Sequence, residues 1–206
     1  MQINLADFSP QSAVNGPGKR AVIWVQGCPF RCPGCYNQEF IPFRPASMVA
    51  VDDLADRILD SPGIEGITLS GGEPFCQATA LGELVRILRK HSLNVVTFSG
   101  FSYERLRSSH RSSWKSLLKG TDLLVAGPYR RGDAIIHPLI ASVNQSLIYL
   151  SDRLQGRVMD KSYREVELVI DGSGDLSCTG FPDDLLLSRL KDRLEKRGDE
   201  CRISAG

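Results

Sequence analysis

Four short, β-branched apolar runs, at residues 21–26, 66–70, 94–99 and 122–126, each stop at Gly, Ser or a turn, and so read as buried strands. Between them apolar residues recur every three or four positions, as Val51, Leu54, Ala55, Ile58 and Leu59, and as Leu81, Leu84, Val85 and Leu88. That spacing puts one apolar face on each of two helices. In 102–119 the stretch SSHRSS (residues 108–113) interrupts the helical face with residues that prefer caps and turns, which predicts two short helices instead of one long one. Beyond Gln145 the pattern predicts a strand at SLIYL. It then predicts a hairpin from Val166, Leu168 and Ile170 running into Asp171-Gly172-Ser173-Gly174, and a last helix over about 183–197 burying Leu187, Leu190 and Leu194.

Strand–helix–strand alternation predicts an α/β fold with a mostly parallel sheet, because parallel neighbours need a crossover and an amphipathic helix supplies one. Functional groups then gather at the C-terminal ends of the strands. The cluster CPFRCPGC (residues 28–35) follows the first strand and SGGEP (residues 70–74) closes the second, so both fall at one end of the sheet.

Composition narrows the class. A chain of 206 residues, 42% hydrophobic, is long enough for one main core. Its 25 Lys and Arg nearly cancel 24 Asp and Glu, so no general attraction to nucleic acid or to an anionic membrane is expected. No apolar run approaches the roughly 20 residues of a membrane span. The start, MQINLADFSP, lacks a secretion signal, and the expected location is the cytoplasm. Half of the six cysteines sit in one cluster, which points to metal or redox chemistry and away from a disulfide framework.

Cys28, Cys32 and Cys35 can converge only if their loop folds back, as Pro29, Pro33 and Gly34 help it to do. Two occupants compete. A cubane iron–sulfur cluster held by three thiolates keeps one iron open for chemistry. A structural zinc needs a fourth protein ligand, for which Cys76, His91, His110 and His137 are available, none in a second paired motif.

C-x3-C-x2-C after one strand and GGEP after the next resemble the radical S-adenosylmethionine enzymes. Further blocks, NGPGKR (15–20), FSGFS (98–102), DLLVAGPY (122–129) and SVNQ (142–145), resemble in order the activating proteins of anaerobic ribonucleotide reductase and, more broadly, the glycyl-radical activases. The resemblance implies a partial, incomplete TIM-type βα barrel of the radical S-adenosylmethionine kind over residues 1–150, with 151–206 a hairpin–helix extension packed on it. It also implies a 4Fe-4S cluster on Cys28, Cys32 and Cys35, and S-adenosylmethionine beside Gly34, Tyr36, Gly71, Gly72, Glu73, Thr97, Ser99 and Asn144. Gln145 would lie near the cofactor or the entering substrate, and Arg130 and Arg131 near a carboxylate or a partner protein.

The implied reaction is reductive cleavage of S-adenosylmethionine to a 5′-deoxyadenosyl radical, which abstracts hydrogen from a glycine of a glycyl-radical enzyme. No catalytic side chain is needed beyond cluster and cofactor, and the electron comes from a flavodoxin or ferredoxin. The chain departs from the family twice. Ile140-Ala141 replaces the usual Arg-Gly before the Ser-x-Asn-Gln block, and the tail from Leu147 is longer than in compact members. That tail either covers a sheet edge or binds substrate. Two other functions stay in play: radical chemistry on a peptide, modified nucleotide or small molecule, and a non-catalytic metal-binding module. The scattered Cys178 and Cys201 read as small buried residues, whereas Cys76, just past GGEP, is placed to approach the cofactor.

Overall fold

In the computed structural model the described residues are 1–158, 164–170, 172, 176–182, 184–195 and 204–205. Among them a seven-stranded sheet is built from β1 (Gln2–Ser12), β2 (Arg20–Val25), β3 (Ser47–Ala50), β4 (Gly66–Gly71), β5 (Asn94–Ser99), β6 (Leu123–Ala126) and β7 (Ser146–Tyr149), in the order β3-β1-β2-β4-β5-β6-β7. The centre, β2-β4-β5-β6, is parallel, while β1, β3 and β7 run antiparallel to their neighbours. The sheet is therefore mixed and open, with no closed barrel.

Helices α1 (Val51–Leu59), α2 (Ala78–Leu88), α3 (Tyr103–Ser108) and α4 (Ser112–Gly120) supply the crossovers. The predicted break between α3 and α4 is real: Ser102 Oγ accepts from Arg105 N at 3.3 Å to cap α3, and Ser109 leaves it in an extended conformation.

Every residue of β2 is buried, and its two faces meet different partners. Ala21, Ile23 and Val25 join Leu54 and Ile58 of α1, Leu84 and Leu88 of α2 and Leu117 of α4 in the main core. Val22 and Trp24 face the other way, against Phe40. Farther along that second face, Val96 and Val125 are covered by Leu139 and Leu154 from loops. Side chains alternate across a strand, so helices cover one face and loops the other. The loop-covered face holds the candidate site.

The hairpin is present as β8 (Val166–Ile170) and β9 (Leu176–Gly180), antiparallel, with β10 (Ser204–Ala205) parallel to β9 in a separate three-stranded sheet. Helix α5 (Asp184–Glu195) follows. Of its predicted buried leucines, Leu190 is half-buried, and the side chains of Leu187 and Leu194 lie outside the described residues, as do Asp171, Ser173 and Gly174 of the turn. No described helix is long and apolar enough to cross a membrane.

Candidate active site

The cysteine loop is tied at its base. Gly27 N donates to Phe40 O at 2.8 Å and Cys28 N to Ile41 O at 2.9 Å, while Cys35 N donates to Cys32 O at 3.1 Å within the loop. The GGEP segment is tied to the same base, because Gly72 N donates to Val25 O (2.7 Å) and Glu73 N to Gly27 O (2.9 Å). Gly71 permits this approach: its φ is +96°, and a Cβ there would stand 2.4 Å from Val25 N. Two motifs separated by about forty positions thus form one backbone unit.

Glu73 is fully buried. Its Oε1 accepts from Phe75 N (3.0 Å) and Ser99 Oγ (3.0 Å), and its Oε2 from Gly100 N (2.8 Å). The carboxylate therefore braces the ends of β4 and β5 from behind, and it does not line the cleft described below. Burial pushes its pKa up to about 7 against the opposing pull of those three donors. Thr97 is likewise buried behind the site, with its Oγ1 2.9 Å from Thr121 Oγ1.

On the helix-free face a cleft opens at the C-terminal ends of the parallel strands. Cys28, Cys32, Cys35, Tyr36, Gly71, Gly72 and Ser99 line it together with Trp24, Phe30, Ser70, Phe98 and Gly100. Trp24 and Ser70 are register partners, one on β2 and one on β4, which is why they share the wall. No Asp, Glu, Lys, Arg or His lines this cleft among the described residues. Gly34 faces instead an outer groove shared with Cys28 and Cys32, where Arg131 packs over it. Arg130 stands 3.9 Å from Asp133 in an exposed pair.

The Ser142–Gln145 block closes the cleft from β6. Gln145, itself in the lining, accepts at Oε1 from Ala141 N (2.8 Å) and donates from Nε2 to Gly127 O (3.0 Å). Asn144 Nδ2 donates to Pro128 O (2.7 Å), yet its Oδ1 is buried without a partner, as is Oδ1 of Asn37 in the cleft wall. Buried acceptors normally find donors; Asn37 lines the cleft and its oxygen is available to an N–H or O–H group of a ligand, whereas Asn144, expected beside the cofactor, is not among the lining residues. Phe30, Phe98, Tyr129 and Gln145 sit inside the family-like blocks, and Tyr36 and Asn37 directly follow the cysteine cluster, whereas Trp24 reads from sequence only as a strand residue.

Burial raises the Cys28 thiol to about 12 and also raises Cys35. Backbone donors at Phe30 and Asn37 pull the two back toward thiolate. Thiols of this kind ionise when a metal compensates the buried charge. No three His, Cys, Asp or Glu side chains among the described residues converge as ligands of one ion. A structural zinc needs a fourth protein ligand, whereas a cubane takes each of three thiolates at a separate iron. The three cysteines around a shared cleft, with amide donors aimed at two of them, fit the cluster. His137 is occupied otherwise, its Nδ1 accepting from Leu139 N and Ile140 N at 3.0 and 3.1 Å. Cys76 is exposed and outside the cleft lining, Cys178 is buried in the hairpin, and Cys201 lies outside the described residues.

A family model described as a 4Fe-4S single cluster domain matches residues 14–148. The chain belongs to that family, within the radical S-adenosylmethionine enzymes, and its cofactors are a 4Fe-4S cluster and S-adenosylmethionine. Among curated relatives, it is 36% identical over 104 residues to the Haemophilus influenzae protein named "Putative glycyl-radical enzyme activating enzyme", an overlap of 48% of this chain and 40% of the relative. It is 30% identical over 119 residues to the pyruvate formate-lyase-activating enzyme of Staphylococcus aureus, 54% of this chain and 47% of that one. The matched region thus spans less than half the length of either relative.

Proposed function

We propose that this chain is a glycyl-radical enzyme activase, abstracting hydrogen from the Cα of a glycine in a partner protein, with anaerobic ribonucleotide reductase the candidate partner. The observation that carries the reading is the three-cysteine loop opening onto an uncharged, aromatic-walled cleft at the C-terminal ends of parallel strands. A neutral wall suits a peptide backbone. It offers no cation to a phosphate or carboxylate, which weighs against a nucleotide substrate.

In this reading Cys28, Cys32 and Cys35 are the residues that would hold the cluster. When bound, cluster and S-adenosylmethionine supply one-electron cleavage of the sulfonium, yielding methionine and the 5′-deoxyadenosyl group that takes the hydrogen. Gly71 and Gly72 bring backbone close to the cofactor, and Asn37 accepts a hydrogen bond from cofactor or peptide. Glu73, Ser99 and Thr97 hold those loops in place, while Trp24, Phe30 and Phe98 keep water out. The open sheet is the incomplete barrel of this enzyme class, with residues 151–206 its extension. The protein works in the cytoplasm, takes its electron from a flavodoxin or ferredoxin, and binds no nucleic acid.

The test is anaerobic reconstitution with iron and sulfide, reduction, addition of S-adenosylmethionine, and measurement of 5′-deoxyadenosine in wild type and Cys32→Ala. Product in wild type that disappears in the variant is expected, followed by a glycyl-radical electron paramagnetic resonance signal on added anaerobic ribonucleotide reductase. Cofactor cleavage without a radical on any glycyl-radical enzyme would sink the activase reading.

A further inference from the structure

The β8–β9 hairpin lies outside the seven-stranded sheet and yet reaches the cleft, where Gly180 and Phe181 stand in the wall with Cys35 and Tyr36. Asn15 Nδ2 donates to Thr179 Oγ1 at 2.8 Å, tying β9 to the loop before β2. The rings of Tyr36 and Phe181 meet edge to face, with centroids 5.4 Å apart. Arg164, just before β8, donates from Nη1 to Tyr36 OH (3.2 Å) and from Nη2 to Ile135 O (2.6 Å), and its guanidinium stands 5.9 Å from the Phe181 ring centre. At Gly180 φ is +103°, and a Cβ would lie 2.4 Å from Glu165 O. The chain turns into the cleft there because that position has no side chain.

Tyr36 follows Cys35 directly, and its ring also meets Tyr129 at 5.8 Å. One residue of the cysteine loop is thus held between the segment after β6 and the C-terminal hairpin. A hairpin serving only as an edge cover would pair with β3 or β7, but β8 and β9 pair with each other and with β10.

The structure assigns the hairpin a specificity role: Phe181 is the wall that limits the size of group admitted beside Cys35, and Arg164 positions that wall through Tyr36. The assignment rests on the activase reading only for what is admitted, a polypeptide segment whose reacting residue carries no side chain. Cys35 reports the limit, because it lines the cleft and not the outer groove, whereas Cys28 and Cys32 line both.

In the full-length, cluster-free chain under reducing, anaerobic conditions, alkylation of Cys35 is followed by mass spectrometry with a small reagent, iodoacetamide, and a bulky one, N-phenylmaleimide. Phe181→Ala is expected to speed the bulky reagent about tenfold and the small one less than about twofold. Arg164→Gln acts in the same direction, Arg164→Lys restores part of the discrimination, and adding Tyr36→Phe to Arg164→Gln adds nothing further. Equal acceleration of both reagents, or none, overturns the size limit. So does additivity of the Arg164 and Tyr36 variants. Cys178, buried in β9, reports hairpin integrity. If it becomes reactive in Phe181→Ala, the milder Phe181→Leu decides, with a smaller but still size-selective rise expected. The glycyl-radical signal on added anaerobic ribonucleotide reductase tests the activase reading separately, and a failure there leaves the alkylation result standing.

Discussion

Glu73 sets burial against hydrogen bonding, and pH decides between them. Its pKa rises from 4.5 to about 7 on folding, with desolvation the largest cause and the donors Phe75 N, Gly100 N and Ser99 Oγ opposing it. At about 1.36 kcal/mol per unit, this is a difference of about 3 kcal/mol between protonation states. The folded chain holds the proton more tightly than the unfolded one. Stability from this group is therefore complete below pH 4.5, falls as pH rises to about 7, and is level above that. The shifted carboxylates Glu65 and Glu83 have lowered pKa values, and the raised thiols start from 9.0; the three histidines are common to wild type and Glu73→Gln, so the difference between the two isolates Glu73. Urea unfolding of the cluster-free chain at several pH values between 5 and 8 should show wild type losing about 2.5 kcal/mol relative to Glu73→Gln. The amide also turns an N–H toward Phe75 N or Gly100 N, which costs about 1–3 kcal/mol at every pH. A difference between wild type and Glu73→Gln that stays constant, or that grows in favour of wild type as pH rises, would refute the reasoning. The three donors would then have outweighed burial and kept the carboxylate charged.

Three further variants separate the site from its supports. Gly71→Ala forces a Cβ against Val25 N at φ +96°; a loss of more than about 1 kcal/mol in urea unfolding and weaker S-adenosylmethionine binding are expected. Cys76→Ser should leave cluster content and 5′-deoxyadenosine yield unchanged, because Cys76 is exposed and outside the cleft lining; loss of either would put it in the machinery. Arg20→Leu leaves Ile67 O, Pro17 O and Asn94 Oδ1 without the donor they share. It should cost about 3 kcal/mol or more in thermal or urea unfolding, while any protein that still folds binds S-adenosylmethionine as before.

The parallel centre was legible in the sequence because its strands are buried on both faces and read as continuous apolar runs. Residues 94–99 match β5 end for end, and the runs at 21–26, 66–70 and 122–126 fall within one residue of β2, β4 and β6 at either end. Strand β1 was not legible. In QINLADFSPQS polar and apolar positions alternate irregularly around Pro10, and the pairing with β2 carries two register shifts. β3 is four residues long and exposed at its start, too short to show a period. In the site, adjacency in sequence identified the cysteines and the glycine pair, but it could not tell a residue that faces the cleft from one that braces it. Glu73 and Ser99 share a hydrogen bond, and only Ser99 faces in. Nor does any local pattern bring Phe181 to Tyr36, since that contact spans most of the chain.

The distribution of buried charge explains why one end of this sheet can do chemistry while the other holds it together. Arg20 opens β2, Asn94 opens β5, and Asp122 precedes β6; all three are buried at the N-terminal ends of parallel strands. Arg20 spans Ile67 O and Asn94 Oδ1, at 3.0 and 2.9 Å. Asp122 accepts from Arg89 Nη1 at 3.0 Å, Val95 N at 2.8 Å and Ser151 Oγ at 2.6 Å. These hydrogen bonds tie the strands together at that end, with both Arg20 terminal nitrogens and both Asp122 oxygens engaged and Arg20 Nε alone buried without a partner. At the C-terminal ends the buried carboxylate of Glu73 stands outside the cleft lining, and Arg164 reaches the wall from behind, through Tyr36 and Phe181. The described residues that line the cleft are neutral, so a bound cluster and its cofactor would be the dominant charges within it. Arg20→Leu and Cys32→Ala should accordingly separate cleanly, the first lowering stability with cofactor binding intact, the second removing 5′-deoxyadenosine formation with the fold intact.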